Sequence, residues 1–510
     1  MESSLAEEVI NEKMEKFNIL LGRAKFEAKE YQREGLEWCL RKELSKNKLS
    51  KGGIVADEMG LGKTLTLIGL MFVNFKRRTL IVVPPVLLDQ WAKEIFKCSG
   101  HKALKYHGSS KKTITEKELL DAPIVLTTYN MLLPVKDTKD KKNKEKKDLK
   151  DLKEKENMLT NIKWDRIIFD EAHHLRNKRT ERFSSCEKIQ GKIKWLISGT
   201  PIQNKRSDLY NLFKIIGIDK VNQENVKEFA EEYILRRTKA EVGINLPPVI
   251  KNLKQVKWSN TYEKNMAEEL HSLLPNQTNV FKTVNINSEL ANLFEGKGIL
   301  TAIMKARQSC IMPSLLIPDI IREIQTGELD APQNYIRALK SNSKLDAVIQ
   351  LILSRKDNGN GKIIFCHFRK EIDLIATRLR NGGLQKVVTY DGRNSRTGIN
   401  LSDAADAIVL QIQTGCEGLN LQANFSEIYF VSPHWNPCVE DQAVARCHRI
   451  GQIKPTYVFK FEMTGFKDQK NQIKNDDEEQ KEEKPEQSLE SYVNSVQNFK
   501  RGLIGEIIKQ

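Results

Sequence analysis

From 53 to 200, short runs that are apolar at nearly every position recur at 53–56, 79–83, 124–128, 166–169 and 194–197, separated by amphipathic stretches. A strand that reads apolar throughout is covered on both faces, so this alternation predicts a parallel sheet flanked by helices. A second series, at 362–365, 386–390, 407–412, 427–431 and 456–461, predicts a second α/β unit. Between them, 205–340 lacks strand signals and reads as helical, with Leu209, Leu212, Phe213 and Ile216 at helix-face spacing. Two runs break the pattern. The stretch 136–156 is dense in charge and poor in apolar residues, which predicts a solvated insertion in the first unit. The acidic run 466–490 predicts a linker, and 489–508 an amphipathic helix that docks back.

The chain has 510 residues and a formal net charge of +16. The insertion holds 10 Lys against 7 acidic residues and the linker 5 Lys against 9. Their charges nearly cancel, so the positive excess belongs to the folded part and favours nucleic acid as partner. The eight cysteines (Cys39, Cys98, Cys186, Cys310, Cys366, Cys416, Cys438, Cys447) include no C-x-x-C pair, which predicts reduced, buried thiols of an intracellular protein and no zinc module. The N-terminus has no signal-peptide layout, and the most apolar run, 80–88, is interrupted by Pro84 and Pro85. That is far from the roughly 20 apolar residues of a bilayer span, so no membrane association is expected.

The chemistry is announced by Asp57-Glu58-Met59-Gly60-Leu61-Gly62-Lys63-Thr64, a glycine-rich turn between an apolar strand and an apolar helix. Backbone N–H groups at such a helix start point at phosphates, Gly60 and Gly62 let phosphates approach the backbone, Lys63 adds a full charge, and the Thr64 hydroxyl is placed to ligate Mg²⁺. Asp57 stands where the P-loop pattern has its first glycine. About 110 residues on, Asp170-Glu171-Ala172-His173 follows a predicted strand, at the sheet edge where ligands bind. Asp170 would hold Mg²⁺, partly through water, and Glu171 would orient and deprotonate the attacking water. Ser198-Gly199-Thr200-Pro201 ends the next strand and is suited to sensing the γ-phosphate. In the second unit, Gln442 to Gln452 puts Arg446 and Arg449 on one helical face, three residues apart, as ordinary surface charge or as arginine fingers.

With these in place the sequence resembles the SWI/SNF-type group of helicase-like ATPases, within helicase superfamily two. Motifs I, II, III and VI are matched by Asp57 to Thr64, the Asp170-Glu171-Ala172-His173 box, Ser198 to Asn204, and His448-Arg449-Ile450-Gly451-Gln452. Asp57 in place of the glycine is normal there. Tyr31-Gln32-Arg33-Glu34-Gly35-Leu36 is similar to the adenine-reading Q motif, Val83-Pro84-Pro85 with Gln90-Trp91 to motif Ia, and Thr127-Thr128-Tyr129 to motif Ib. Leu235 to Lys239, followed by Leu246-Pro247-Pro248, resembles the segment that braces the two lobes. Ser343-Lys344, Ile364 to Phe368 and Gly415 to Gln422 resemble the start of the second lobe and motifs IV and V, and the latter is closest to the DNA-repair branch. The second lobe is shorter than the family pattern between Gly392 and Gly415.

The resemblance implies two RecA-like P-loop lobes with helical insertions: an N-terminal extension (1–24), lobe one (25–205), helical insertions and brace (206–340), lobe two (341–465), and a charged linker with a terminal helix (466–510). It implies a DNA-dependent ATPase using ATP and Mg²⁺, moving on double-stranded DNA as a monomeric motor, with nucleosomes or transcription factors as further partners, in the nucleus or a viral DNA replication compartment. Nucleotide contacts fall to Gln32, Gly60, Gly62, Lys63, Thr64 and Gln442, metal to Thr64 and Asp170, and catalysis to Lys63, Asp170, Glu171, Arg446 and Arg449. Nucleic-acid contacts fall to Pro84, Pro85, Thr127, Thr128 and Trp435. A strand-separating DNA or RNA helicase, and a nucleic-acid-binding scaffold with a vestigial ATPase, are the alternatives.

Overall fold

Alternate residues of each predicted strand face opposite apolar layers, as a sheet buried on both sides demands. In a computed structural model, residues 2–23, 27–45, 49–134, 157–203, 205–274, 290, 294, 298–326, 332–393, 405–415, 419–466 and 488–507 are described. They form two units, Met1–Asn245 with Lys500–Gln510, and Leu246–Phe499.

The first unit holds β1 (Gly52–Val55), β2 (Thr79–Val83), β3 (Leu104–Tyr106), β4 (Ile124–Thr128), β5 (Trp164–Phe169), β6 (Gly191–Ile197) and β7 (Ile234–Leu235). Their order is β3-β4-β2-β5-β6-β1-β7, with every pair parallel. Ile54, Val82, Val125, Phe169 and Leu196 face one layer, which Phe183, Leu209 and Phe213 complete. Val55, Ile81, Leu126, Ile168 and Ile197 face the other, against Phe17, Leu36, Leu67 and Trp91. Phe17 belongs to the helix Glu2–Arg23, so the N-terminal extension contributes to this core.

The second unit holds β8 (Val249–Val256), β9 (Gly361–Cys366), β10 (Val387–Tyr390), β11 (Ala407–Gln411), β12 (Phe425–Phe430) and β13 (Thr456–Met463), all parallel, in the order β10-β11-β9-β12-β13-β8. Its faces alternate in the same way, Ile364, Val409, Tyr429 and Phe459 on one side and Ile363, Leu410, Ile428 and Val458 on the other.

The expectation that 205–340 lacks strands is corrected by β7 and β8, one at the edge of each sheet. β7 is two residues long, and β8 is half polar, with Lys251, Asn252, Lys254 and Gln255, because an edge strand has little to bury. The rest of that stretch is helical, including Arg206–Ile215, Val226–Tyr233, Thr261–His271 and Ile299–Ile311. The C-terminal helix spans Leu489–Ile507. The charged insertion, and the linker from 467 to 487, lie outside the described residues. Seven cysteines are described, all free and buried, and no described helix is long and apolar enough to cross a membrane.

One charge is buried inside the first sheet. Arg166 of β5 has no exposed surface, and its guanidinium donates from Nε to Glu43 Oε1 at 2.7 Å and from Nη2 to Oε2 at 2.5 Å. Glu43 also accepts from Trp195 Nε1 at 2.8 Å and Asn74 Nδ2 at 2.6 Å, tying the helix Glu30–Leu44 to the sheet. Glu43→Ala leaves the guanidinium buried without its partner, so urea unfolding should show a loss of about 3–5 kcal/mol. A loss below about 1 kcal/mol, the range of an exposed pair, would contradict this account of the sheet.

Candidate active site

Because all strands of the first sheet are parallel, their carboxyl ends lie along one edge. There Asp57, Pro84, Tyr129, Asp170 and Ser198 follow β1, β2, β4, β5 and β6. After β1 the chain turns through Gly60 (φ 93°) and Gly62 (φ 79°), both in the left-handed region, and enters the helix Lys63–Val73. A Cβ at Gly62 would lie 2.3 Å from Gln32 Nε2, so this position also has no room for a side chain. Gln32 is itself buried, and its Nε2 donates to Leu61 O at 3.3 Å, bracing the loop from the side. The Lys63 ammonium lies within the loop and donates to the carbonyls of Asp57 (2.7 Å) and Glu58 (3.2 Å). At Gly199 a Cβ would meet Met59 at 2.8 Å and Lys63 Nζ at 3.6 Å, which brings the turn after β6 against the same loop.

Asp170 is buried at the end of β5. Its Oδ2 accepts from Trp91 Nε1 at 2.6 Å and its Oδ1 from the Glu171 N–H at 2.8 Å, while its carbonyl accepts from Tyr129 OH at 2.6 Å. Burial, then the neighbouring Glu171, push the Asp170 carboxyl up to about 7, against the Trp91 and Glu171 N–H donors and the charge of Lys63. Glu171 is the single non-glycine with positive φ among the described residues (49°), a conformation that costs about 1–3 kcal/mol. It meets His173 Nδ1 at 3.2 Å. Behind the turn after β6, Gln203 bonds Arg176 and also donates to Thr200 Oγ1 at 3.2 Å.

No group of three or more His, Cys, Asp or Glu able to hold a metal ion is present among the described residues. A lone acid beside a P-loop suits Mg²⁺, which takes one or two carboxylates and completes its shell with phosphates and water. The glycine cradle, Lys63, Thr64 and Asp170 therefore fit a magnesium nucleotide.

The other expected nucleotide residues lie in the second unit. The helix Pro437–Ala445 ends before Arg446, so Arg446 and Arg449 do not share a helical face. The chain leaves the helix in tight turns because Arg446 O accepts from Leu421 N at 3.1 Å and Gly451 (φ 99°) reverses its direction. Arg449 is held by Asn420 Oδ1, and His448 Nε2 contacts Pro247 O at 2.9 Å. Gln442 is buried, and its Nε2 has no hydrogen-bond partner among the described residues.

Residues 31–232 match the SNF2-related domain and residues 343–451 the helicase conserved C-terminal domain, together more than half of the chain. The chain belongs to the SWI/SNF-type family of helicase-like ATPases. Its two parallel sheets flanked by helices are the RecA-like lobes of such an ATPase. It is 27% identical over 457 residues to the probable global transactivator of Orgyia pseudotsugata multicapsid polyhedrosis virus, covering 84% of this chain and 85% of that protein. It is 28% identical over 477 residues to chromodomain-helicase-DNA-binding protein 6 of Homo sapiens, covering 85% of this chain but 16% of that protein. The SWI2/SNF2 ATPase core of Sulfolobus solfataricus, solved in complex with double-stranded DNA, aligns with 94% of this chain and 93% of its own at 22% identity, with a TM-score of 0.38.

The first part of the bracing segment of the SWI/SNF-type chain, Leu235 to Lys239, lies in the first unit. Leu235 O accepts from Ala56 N (2.7 Å) and Arg237 O from Glu58 N (2.8 Å), so the segment continues β7 alongside the P-loop. Arg237 donates from Nε and Nη2 to the two oxygens of buried Asp57, at 3.1 and 2.6 Å, and Lys239 pairs with Glu58 at 2.8 Å. Arg237 is a site residue that motif spacing alone did not single out; the signal was Asp57, an acid in a phosphate loop that needs a cation beside it.

The expected nucleic-acid residues divide. Pro85 is exposed and Pro84 buried at the start of the turn after β2. Thr127 and Thr128 are fully buried, with hydroxyls facing Tyr106 O (2.9 Å) and His107 Nδ1 (3.2 Å), so direct side-chain contact by either is corrected to a supporting role. Trp435 is half-buried, its ring 5.7 Å from that of Tyr492 on the C-terminal helix.

Arg237→Ala leaves Asp57 buried and unpaired at the mouth of the loop. Steady-state ATPase kinetics should show KM for ATP raised by about tenfold or more. An unchanged KM would mean that the Asp57–Arg237 pair does not shape the nucleotide loop.

Proposed function

We propose that this SWI/SNF-type ATPase is a translocase that moves along double-stranded DNA without separating its strands. The observation that carries the reading is the gathering of the glycine-rich loop, buried Asp170 and Glu171 at one sheet edge, beside the turns after β2 and β4, where Pro85 and Asn130 are exposed. In this reading Lys63 and the N–H groups opening the helix Lys63–Val73 hold the β- and γ-phosphates, with Gln32 reading the base. Thr64 and Asp170 hold the metal, Asp170 partly through water. Bound Mg²⁺ supplies neutralisation of the phosphate charge. Glu171 takes the proton of the attacking water, a role that suits a carboxylate partnered by His173. Arg446 and Arg449 are assigned the charge that develops on the transferred phosphoryl group, and Gln442 a polar contact to the nucleotide.

The substrate is inferred from charge and from what is missing in the chemistry of single-strand binding. The positive excess suits sequence-independent contacts to phosphates, and aromatic residues make up only 7% of the chain, a poor basis for a base-stacking platform. One relative carries DNA binding in its name. Protein–DNA complexes are the proposed targets, in the nucleus or in a viral DNA replication compartment; one relative is a probable global transactivator of a virus.

The experiment pairs a third strand annealed along a duplex with a forked duplex. ATP should drive displacement of the third strand, and Glu171→Gln should abolish it. Efficient unwinding of the fork without third-strand displacement would replace the translocase by a strand-separating helicase.

A further inference from the structure

Three strand ends stand side by side in the first sheet, since Val82 of β2 pairs with both Thr127 of β4 and Phe169 of β5. The segments that continue from them are joined by hydrogen bonds that belong to no strand or helix. Trp91 lies in the first turn of the helix Leu88–Ser99, just beyond Pro84 and Pro85, and its buried indole N–H donates to the Asp170 carboxylate at 2.6 Å. Tyr129, next after Thr127 and Thr128, is also buried and donates to the Asp170 carbonyl at 2.6 Å.

A second line runs from the surface to the neighbouring acid. Exposed Asn130 accepts from Arg182 Nη2 at 3.2 Å, the Arg182 guanidinium lies 5.7 Å from the Tyr129 ring, and its Nη1 is 3.5 Å from His174 Nδ1. The rings of His174 and His173 are 4.5 Å apart, and His173 reaches Glu171.

We propose that Trp91 and Tyr129 are positioning residues that carry duplex engagement to Asp170, and so set how strongly DNA stimulates ATP turnover. The proposal rests on the translocase reading and on the motif resemblance that gives the turns after β2 and β4 to nucleic acid; on them Pro85 and Asn130 are exposed. Neither side chain is exposed enough to touch DNA: Trp91 is 1% and Tyr129 3% accessible. A shift of either turn against a phosphate backbone must move its donor, and both donors are buried against the acid. The carboxylate then turns with the helix that carries Trp91, while the main chain of Asp170 is held by Tyr129. Motif resemblance gives these two residues to nucleic-acid segments; the hydrogen bonds give them to the acid.

Trp91→Phe keeps an aromatic ring in the core and removes only the N–H donor; Tyr129→Phe removes only the hydroxyl. Duplex affinity is read by anisotropy of a labelled duplex, and ATP turnover is read without DNA and at saturating duplex. Trp91→Phe should bind duplex within about twofold of the parent, yet the ratio of stimulated to unstimulated turnover should fall by about tenfold, the worth of a hydrogen bond to a charged group. Tyr129→Phe should lower the same ratio by about fivefold, as for a neutral bond. A merely structural role lowers thermal stability and both rates together and leaves the ratio in place. Ratios within twofold of the parent for both variants would overturn the proposal, as would a loss fully explained by weaker duplex binding. If Trp91→Phe does not fold, Tyr129→Phe decides alone. A parent enzyme that duplex DNA does not stimulate removes the translocase reading and the proposal with it, which sets that failure apart from an unchanged ratio.

Discussion

A carboxylate taken out of water beside a second carboxylate is an unstable arrangement unless something opposes it, and Asp170 is in that position. Its burial and the nearness of Glu171 both favour the protonated acid. What holds the carboxylate form is a small set of fixed groups: the Trp91 indole, the Glu171 backbone N–H and the charge of Lys63. These come from the segments that follow β2, β5 and β1, so the acid depends on the order of strands in the sheet. At the proposed site a divalent cation would add what the protein leaves short, and this would link metal, nucleotide and fold in one constraint.

The same logic repeats at the edge of the loop. Asp57 replaces a glycine at the mouth of a site for anions, which is tolerable because Arg237 meets both of its oxygens. The bracing segment that supplies Arg237 then has a local duty, adding a short strand to the sheet and holding the P-loop by backbone and side chain alike. Elsewhere the first unit buries the Arg166–Glu43 pair, away from the functional edge.

Much of the fold was legible because a parallel strand covered on both faces must be apolar at nearly every position, and most central strands satisfy that in one short run. β7 and β8 escaped because edge strands are free of this demand, and Lys251 and Lys254 in β8 carry no strand signal. The P-loop and the Asp170–Glu171 pair were legible because their chemistry needs particular residues at fixed, local spacing. The partners of those residues were not, since Arg237 lies 180 residues from Asp57 and Trp91 lies 79 from Asp170. Burial was harder still. Thr127 and Thr128 look like polar surface residues in a motif, but both are buried, with their hydroxyls on Tyr106 and His107 at the end of β3. The spacing of Arg446 and Arg449 was read as one helical face, but the helix ends at Ala445, where Arg446 O accepts from Leu421 N and the chain turns again at Gly451.

The central claim, that this edge is built to hold a magnesium nucleotide through Asp170, is tested most directly by calorimetric titration with a non-hydrolysable ATP analogue, with Mg²⁺ and with chelator. The parent should bind at least about tenfold more tightly with Mg²⁺, a difference of about 1.4 kcal/mol, and Asp170→Asn should lose that dependence while still binding the nucleotide. Equal affinity with and without the metal, or a magnesium effect that survives Asp170→Asn intact, would contradict it.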